Sequence, residues 1–123
     1  MFARIGRTSL LFGLGLFVPA AALMHTRLTK SSPGADETVA AAPAQIRLWF
    51  SEPVEVAFSS ITLEKADSTV IAKLVVAATD DPKSIAAPNQ GTLAPATYIV
   101  VWKTTAKDGH PAKGQFRFTY KPK

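Results

Sequence analysis

The sequence predicts an all-β domain over residues 25–123, a sandwich or barrel with Greek-key connections, preceded by an export signal. Apolar residues alternate with polar ones in several short segments, and turns rich in Pro, Gly and Asp separate these segments at roughly 8–12-residue spacing. No stretch of ten residues after residue 24 combines a helical period with helix caps. The first 24 residues instead carry a basic start, an apolar centre and small residues at the end.

The first 24 residues have the pattern of a secretory signal peptide. Arg4 and Arg7 precede an apolar stretch over 10–18, followed by Pro19 and by three alanines over 20–22. The apolar stretch is shorter than the roughly 20 residues that a membrane-spanning helix needs. We therefore expect a signal peptide over 1–24, cut after residue 22 or 24, and an exported domain over 25–123. The alternative is an uncleaved signal anchor, and that segment would be the domain's only attachment to the membrane.

Five strands are predicted from the alternation of apolar residues. Ile61 and Leu63, for example, face one side of their strand, and Asp67 lies in the turn that follows. The predicted strands cover residues 45–50, 60–64, 69–76, 97–105 and 114–120. The connections between them are expected over 31–43, 80–82 and 87–91, which are rich in turn-forming residues.

Composition excludes several functions. The chain has 14 Lys and Arg against 9 Asp and Glu, a net charge of +5, and +3 remains without Arg4 and Arg7. The cations are scattered, so we expect no nucleic-acid partner. Cysteine is absent, which excludes disulfides, thiol nucleophiles and the thiolate-ligated blue-copper site of electron-transfer proteins. No nucleophile-elbow motif is present, and the carboxylates are mostly isolated, so an enzyme is not predicted.

Asp108, Gly109 and His110 form the one local cluster that indicates chemistry. They lie between the two strongest predicted strands, and the glycine allows a tight turn that aims the carboxylate and the imidazole at one point. Together these groups are half of a ligand set for Cu(II) or Zn(II). The alternative is that Asp-Gly is an ordinary hairpin turn. His25 is the second histidine, beside the expected cleavage site, where an imidazole and a new α-amine could bind one metal; alternatively it lies in an unstructured tail.

Several blocks of sequence in a fixed order resemble the CopC family of periplasmic copper-resistance proteins. The likeness covers essentially all of residues 25–123. It rests on three blocks, namely the Ser-x-Pro of 31–33, Phe-Ser-Glu-Pro-Val at 50–54, and Asp-Gly-His-Pro at 108–111 with the Gly-x-Phe-x-Phe of 114–118. The resemblance implies an immunoglobulin-like or cupredoxin-like β-fold and an exported, non-enzymatic protein that binds one Cu(II) for sequestration, resistance or delivery.

The resemblance also implies a ligand set. In the family the mature N-terminal histidine and the Asp-x-His motif hold Cu(II), which correspond here to His25, Asp108 and His110, and some members add the glutamate that corresponds to Glu52. A Met-rich Cu(I) site is excluded, since the methionines are Met1 and Met24 alone. An inner-membrane copper importer is the partner that the resemblance implies.

Two other functions and a second form of the copper site remain open. A polysaccharide monooxygenase also binds copper through an N-terminal histidine brace, and a metal-free sandwich could bind another protein. Cleavage after residue 22 would yield a Leu-Met-His terminus. Its amine, two backbone amides and imidazole could enclose Cu(II) without Asp108 or His110. Cleavage before His25 yields the mixed site of the family, which we favour because the Asp-Gly-His block has no use in the other product.

Overall fold

Nine strands and one 3-10 turn make up the part of the chain that the structure describes. This structure is a computed structural model that describes residues 13, 15 and 25–123. The signal peptide predicted over 1–24 falls almost entirely outside these residues and stays a prediction. The 3-10 turn is Val56–Phe58. The strands are β1 (Leu28–Ser32), β2 (Thr38–Val39), β3 (Gln45–Phe50), β4 (Ser60–Lys65), β5 (Val70–Leu74), β6 (Ala77–Ala78), β7 (Ser84–Pro88), β8 (Ala96–Thr105) and β9 (Pro111–Tyr120).

The strands form two sheets that pack face to face as a sandwich. One sheet has the strand order β1-β3-β7-β6 and the other β2-β9-β8-β4-β5. Several neighbours are distant in sequence, such as β1 with β3 and β4 with β8, as expected for Greek-key connections. The all-β prediction is confirmed. No helix among the described residues is long and apolar enough to cross a membrane.

The core lies between the sheets and is built by the predicted alternation. From one sheet β3 contributes Ile46, Leu48 and Phe50, all at most 3% exposed. From the other sheet come alternate residues of β4 and β8 and one of β9, namely Ile61, Leu63, Tyr98, Val100, Trp102 and Phe118. Because side chains on a strand point alternately to its two faces, each of these strands buries one face and exposes the other. The face of β8 and β9 that points away from the core is therefore open to solvent.

The structure corrects the predicted connections in two places. Residues 31–43 were expected to be irregular, but β1 includes Ser31 and Ser32 and β2 lies at Thr38–Val39. Residues 87–91 were expected to be a loop, whereas Ala87 and Pro88 end β7. Neither β1 nor β7 shows apolar alternation, because β1 is largely polar and β7 buries three of its five residues, two of them adjacent. Their pairing with β3 on either side makes them strands.

The β8–β9 hairpin is the longest paired element and positions the Asp-Gly-His segment. Ten residue pairs join the two strands, from Ala96 with Tyr120 to Thr105 with Pro111. Trp102 lies opposite Gly114, and a Cβ atom on that glycine would come within 2.6 Å of the indole Cζ2. The ring also packs edge-on against Phe50, with centroids 5.2 Å apart. A glycine is thus required here so that the indole can cover the hairpin near its turn.

Candidate metal site

Residues 107–110 form the tight turn between β8 and β9. The Ala106 N–H donates to the carbonyl of His110 at 2.9 Å, and the Gly109 N–H donates to the carbonyl of Ala106 at 2.9 Å. Gly109 has φ +93°, a conformation that side chains with a Cβ rarely adopt. The predicted role of this glycine in a tight turn is confirmed. The turn places the residues on either side of Gly109 next to each other.

Asp108 and His110 are joined by two hydrogen bonds within this turn. Oδ1 of Asp108 accepts one from the His110 backbone N–H at 3.1 Å, an Asx-type contact to the residue two positions on. Nδ1 of His110 lies 3.1 Å from the same oxygen. These hydrogen bonds, the backbone one foremost, hold the pKa of the Asp108 carboxyl below its usual value. The side chain of His110 is 52% exposed and that of Asp108 is 42% exposed, so a metal ion can reach both from solvent.

The pair can bind a metal ion in two ways. With Nδ1–H donating to Asp108, the imidazole is held in place and Nε2 carries the free lone pair, an arrangement typical of metal-ligating histidines. Alternatively the other tautomer leaves Nδ1 without a proton, and both it and the carboxylate would then be free to face a metal directly. Because the carboxylate is ionised well into the acidic range, it is available as an anionic ligand or as an orienting acceptor.

His25 lies at the same end of the sandwich as this turn. Two residues after it, Arg27 exchanges hydrogen bonds with Ser51, its carbonyl accepting from the Ser51 N–H at 2.8 Å. The segment that follows Ser51 also contacts the Asp-Gly-His turn, since the Lys107 N–H donates to the carbonyl of Pro53 at 3.1 Å. Residues 51–54 therefore link the start of the described domain to the Asp-Gly-His turn, and Glu52 belongs to this linking segment.

The structure brings together two of the four predicted ligands. Within residues 25–123 no three His, Asp or Glu side chains form a group that could hold a metal ion. Asp108 and His110 are in contact, whereas His25 and Glu52 are at the same end of the domain without joining them in such a group. The assignment of His25 and Glu52 as ligands stays a prediction.

Two features of this end of the domain were missed by sequence reasoning. Lys107 pairs with Glu55 at 3.1 Å, which ties the turn to the segment after Pro53. Thr26, next to His25, is 8% exposed, and its hydroxyl is buried without a hydrogen-bond partner among the described residues. No sequence signal marks either feature, because the contacts join positions about 50 apart or depend on burial.

Comparison with known protein families gives a match over almost the entire described domain. Residues 28–121 match the model of the CopC domain. The copper resistance protein C of Pseudomonas syringae pv. tomato is 34% identical over 125 residues, which cover 95% of this chain and 98% of that protein.

Two solved structures share the fold. CopC from Methylosinus trichosporium OB3b superposes with a TM-score of 0.74 at 30% identity, covering 80% of this chain and 95% of that one. PcoC from Escherichia coli, described as a methionine-rich copper resistance protein, gives a TM-score of 0.68 at 36% identity, covering 80% of this chain and all of that one.

Proposed function

This chain belongs to the CopC family, and we propose on that premise that it is an exported protein that binds one Cu(II) ion for sequestration, resistance or delivery. The observation that carries the proposal is the Asp108–His110 pair, an anionic oxygen and an imidazole nitrogen in contact on an exposed turn. Oxygen and imidazole ligands in a tetragonal arrangement suit Cu(II). The match to the CopC domain supports copper as the metal.

We propose His25 as the third ligand, through its imidazole and, after cleavage before it, its new α-amine. Its position at the same end of the sandwich as the turn supports this assignment, and a movement of the first residues would bring His25 to Asp108 and His110, which it does not join in this structure. Glu52 lies within residues 51–54 and would supply a further oxygen. Copper would then draw together groups that stand apart in the metal-free protein, as is common where metal binding and local folding are coupled.

The ligand inventory favours Cu(II) over Cu(I). Soft thiolate and thioether ligands select Cu(I). This chain has no cysteine, and its two methionines both lie within the predicted signal peptide, at Met1 and Met24. The similar protein PcoC is described as methionine-rich, so this chain departs from it in that respect. One copper per chain is therefore the expected stoichiometry.

Storage or transfer is a better fit to this site than catalysis. Both members of the pair are about half exposed, so copper bound by them would be open to exchange with another protein. We place the protein in the periplasm, on the strength of the signal-peptide pattern, and propose an inner-membrane copper importer as its partner. The alternative is a histidine-brace monooxygenase, which also pairs an N-terminal histidine with a second histidine, but the Asp108 ligand proposed here would be unusual in such an enzyme.

The proposal is tested by titrating the processed protein with Cu(II) and following the visible absorption and the electron paramagnetic resonance spectrum. We expect one tight equivalent that His110→Ala loses. Asp67→Asn is the matched control, because Asp67 makes the same type of turn contact, Oδ1 to the Thr69 N–H at 3.0 Å, in the β4–β5 hairpin. Absence of a tight equivalent would favour a metal-free interaction module. Peroxide-dependent cleavage of polysaccharide by the copper form would favour the monooxygenase.

A further inference from the structure

A groove opens beside the Asp108–His110 turn. It lies between Phe58, residues 103–105 of β8 and residues 111–113 of β9, and its volume is about 400 Å³. Pro111, which lines it, directly follows His110. Lys113 is three residues from His110, which corresponds to about 10 Å along a strand. A molecule in this groove would therefore contact the protein within reach of the proposed copper ligand.

Phe58 forms one wall and is held in an exposed position. Its side chain is 68% exposed, the most of the large apolar residues among those described. The 3-10 turn that carries it is fixed at both ends, since the Phe58 N–H donates to the carbonyl of Glu55 at 3.1 Å. Ser59 Oγ donates to the same carbonyl at 2.7 Å and lies 2.7 Å from Thr104 Oγ1 on β8. An aromatic ring held in this way on the surface is available to a partner.

Two lysines give the groove a positive charge that the protein itself does not balance. Lys103 and Lys113 are directly opposite each other across β8 and β9 and lie on the face that points away from the core. Like charges in such a cross-strand pair destabilise a sheet. Among residues 25–123 no carboxylate lies within ion-pair distance of either lysine. Carboxylates from outside would relieve this repulsion.

We propose that this groove docks an acidic protein segment that presents an apolar side chain to Phe58, and that this segment belongs to the protein that exchanges copper with this chain. The copper-exchange part of the inference rests on the proposed function; the docking part does not. Charge complementarity identifies the occupant as anionic, and the concave shape with a single aromatic wall favours a side chain over a lipid surface. Docking here would bring the partner's ligands beside His110.

The test uses two synthetic acceptor peptides with the same amino-terminal Gly-Gly-His copper site. One carries a Glu-Glu-Phe-Glu-Glu tail and the other a Ser-Gly-Ser-Gly-Ser tail. We expect the acidic peptide to take Cu(II) from the loaded, processed protein at least tenfold faster at low salt, because charge attraction raises the encounter rate. Phe58→Ser and the pair Lys103→Glu/Lys113→Glu should each remove the advantage without changing the equilibrium copper affinity.

Matched controls lie outside the groove. Val75→Ser removes an apolar side chain that is 65% exposed. The pair Lys121→Glu/Lys123→Glu makes the same change of charge beyond the other end of β9. Both should transfer copper at the rate of the unaltered protein. Equal rates for the two peptides, or an advantage that survives in the groove variants, would overturn the proposal.

Binding of the acidic peptide to the metal-free protein separates failure of docking from failure of the copper site. Amide chemical shifts should change around residues 58, 103–105 and 111–113 even if no copper is bound. If the protein binds copper but these shifts do not change, docking is wrong and the proposed function stands. Vesicles with 30% phosphatidylglycerol serve as a third probe. The protein could bind these vesicles, lose that binding on Phe58→Ser, and show no response to the peptide. That combination would assign the groove to a membrane surface instead.

Discussion

The substitution His110→Ala should separate a ligand from a structural residue. The imidazole is 52% exposed, and the hydrogen bond that its side chain makes is with Asp108. The backbone contacts of residue 110, to Asp108 and to the Ala106 N–H, remain available to alanine. Exposed substitutions of this kind change the free energy of unfolding by less than about 0.5 kcal/mol. The melting temperature of the metal-free protein should therefore fall by less than about 4 °C.

Copper binding should respond far more strongly to the same substitution. Changes outside the ligand shell already lower metal affinity by about 10–100-fold, so loss of a bound imidazole should lower it by about 100-fold or more. At 1.4 kcal/mol for each factor of ten, that is about 2.8 kcal/mol of binding free energy. Because a ligand that binds the native state stabilises it, the copper-induced rise in melting temperature should shrink by about 10–20 °C at saturating metal.

The measurement is thermal unfolding by circular dichroism with and without excess Cu(II), with Asp67→Asn as the control in the other hairpin. The control should keep the full copper-induced rise. Two results would refute the reasoning: strong destabilisation of the metal-free His110→Ala protein, which would make His110 structural, or an unchanged rise with copper, which would remove it from the site.

Four further predictions concern pH, packing and processing. Because the pKa of the Asp108 carboxyl is lowered, its ionised form stabilises the fold above the ordinary carboxyl pKa of about 3.9. This contribution disappears as pH falls through the lowered pKa. Asp108→Asn should flatten that part of a plot of melting temperature against pH. Copper affinity should weaken as pH falls, because protons compete with the metal for imidazole nitrogen, and Cu(II) titrations over a pH series that showed constant affinity would contradict an imidazole ligand. Gly114→Ala should lower the free energy of unfolding by about 1–3 kcal/mol, since its Cβ would lie 2.6 Å from Trp102 Cζ2. A melting temperature lowered by less than about 3 °C would contradict that packing. The intact mass of the exported protein should show that the mature chain begins at His25. If it begins at Leu23 and the His110→Ala protein still binds copper normally, the copper site is the terminal tripeptide.

Local periodicity was sufficient to predict the strands that supply most of the core. In β3 and β8 every second residue is apolar, and the structure buries those residues, such as Leu48 and Val100, completely. The same holds for the Asp-Gly-His turn. Its geometry depends on a glycine with positive φ and on a carboxylate that bonds the backbone two residues on, both of which are local properties. A local sequence signal suffices wherever the interaction that decides the structure spans only a few residues.

The tertiary structure decided everything that depends on contacts between distant segments. Strands β1 and β7 lack an alternating pattern and exist because β3 offers backbone hydrogen bonds on both of its edges. The cationic groove beside His110 arises because the hairpin register places Lys103 opposite Lys113 and a partly buried hydroxyl pair holds the turn that carries Phe58 against β8. His25 reaches the same end as Asp108 through the Arg27–Ser51 and Pro53–Lys107 hydrogen bonds, which join residues 24 and 54 positions apart. Backbone hydrogen bonds of this kind carry no side-chain signature, so only the folded chain brings the proposed ligands to one end of the sandwich.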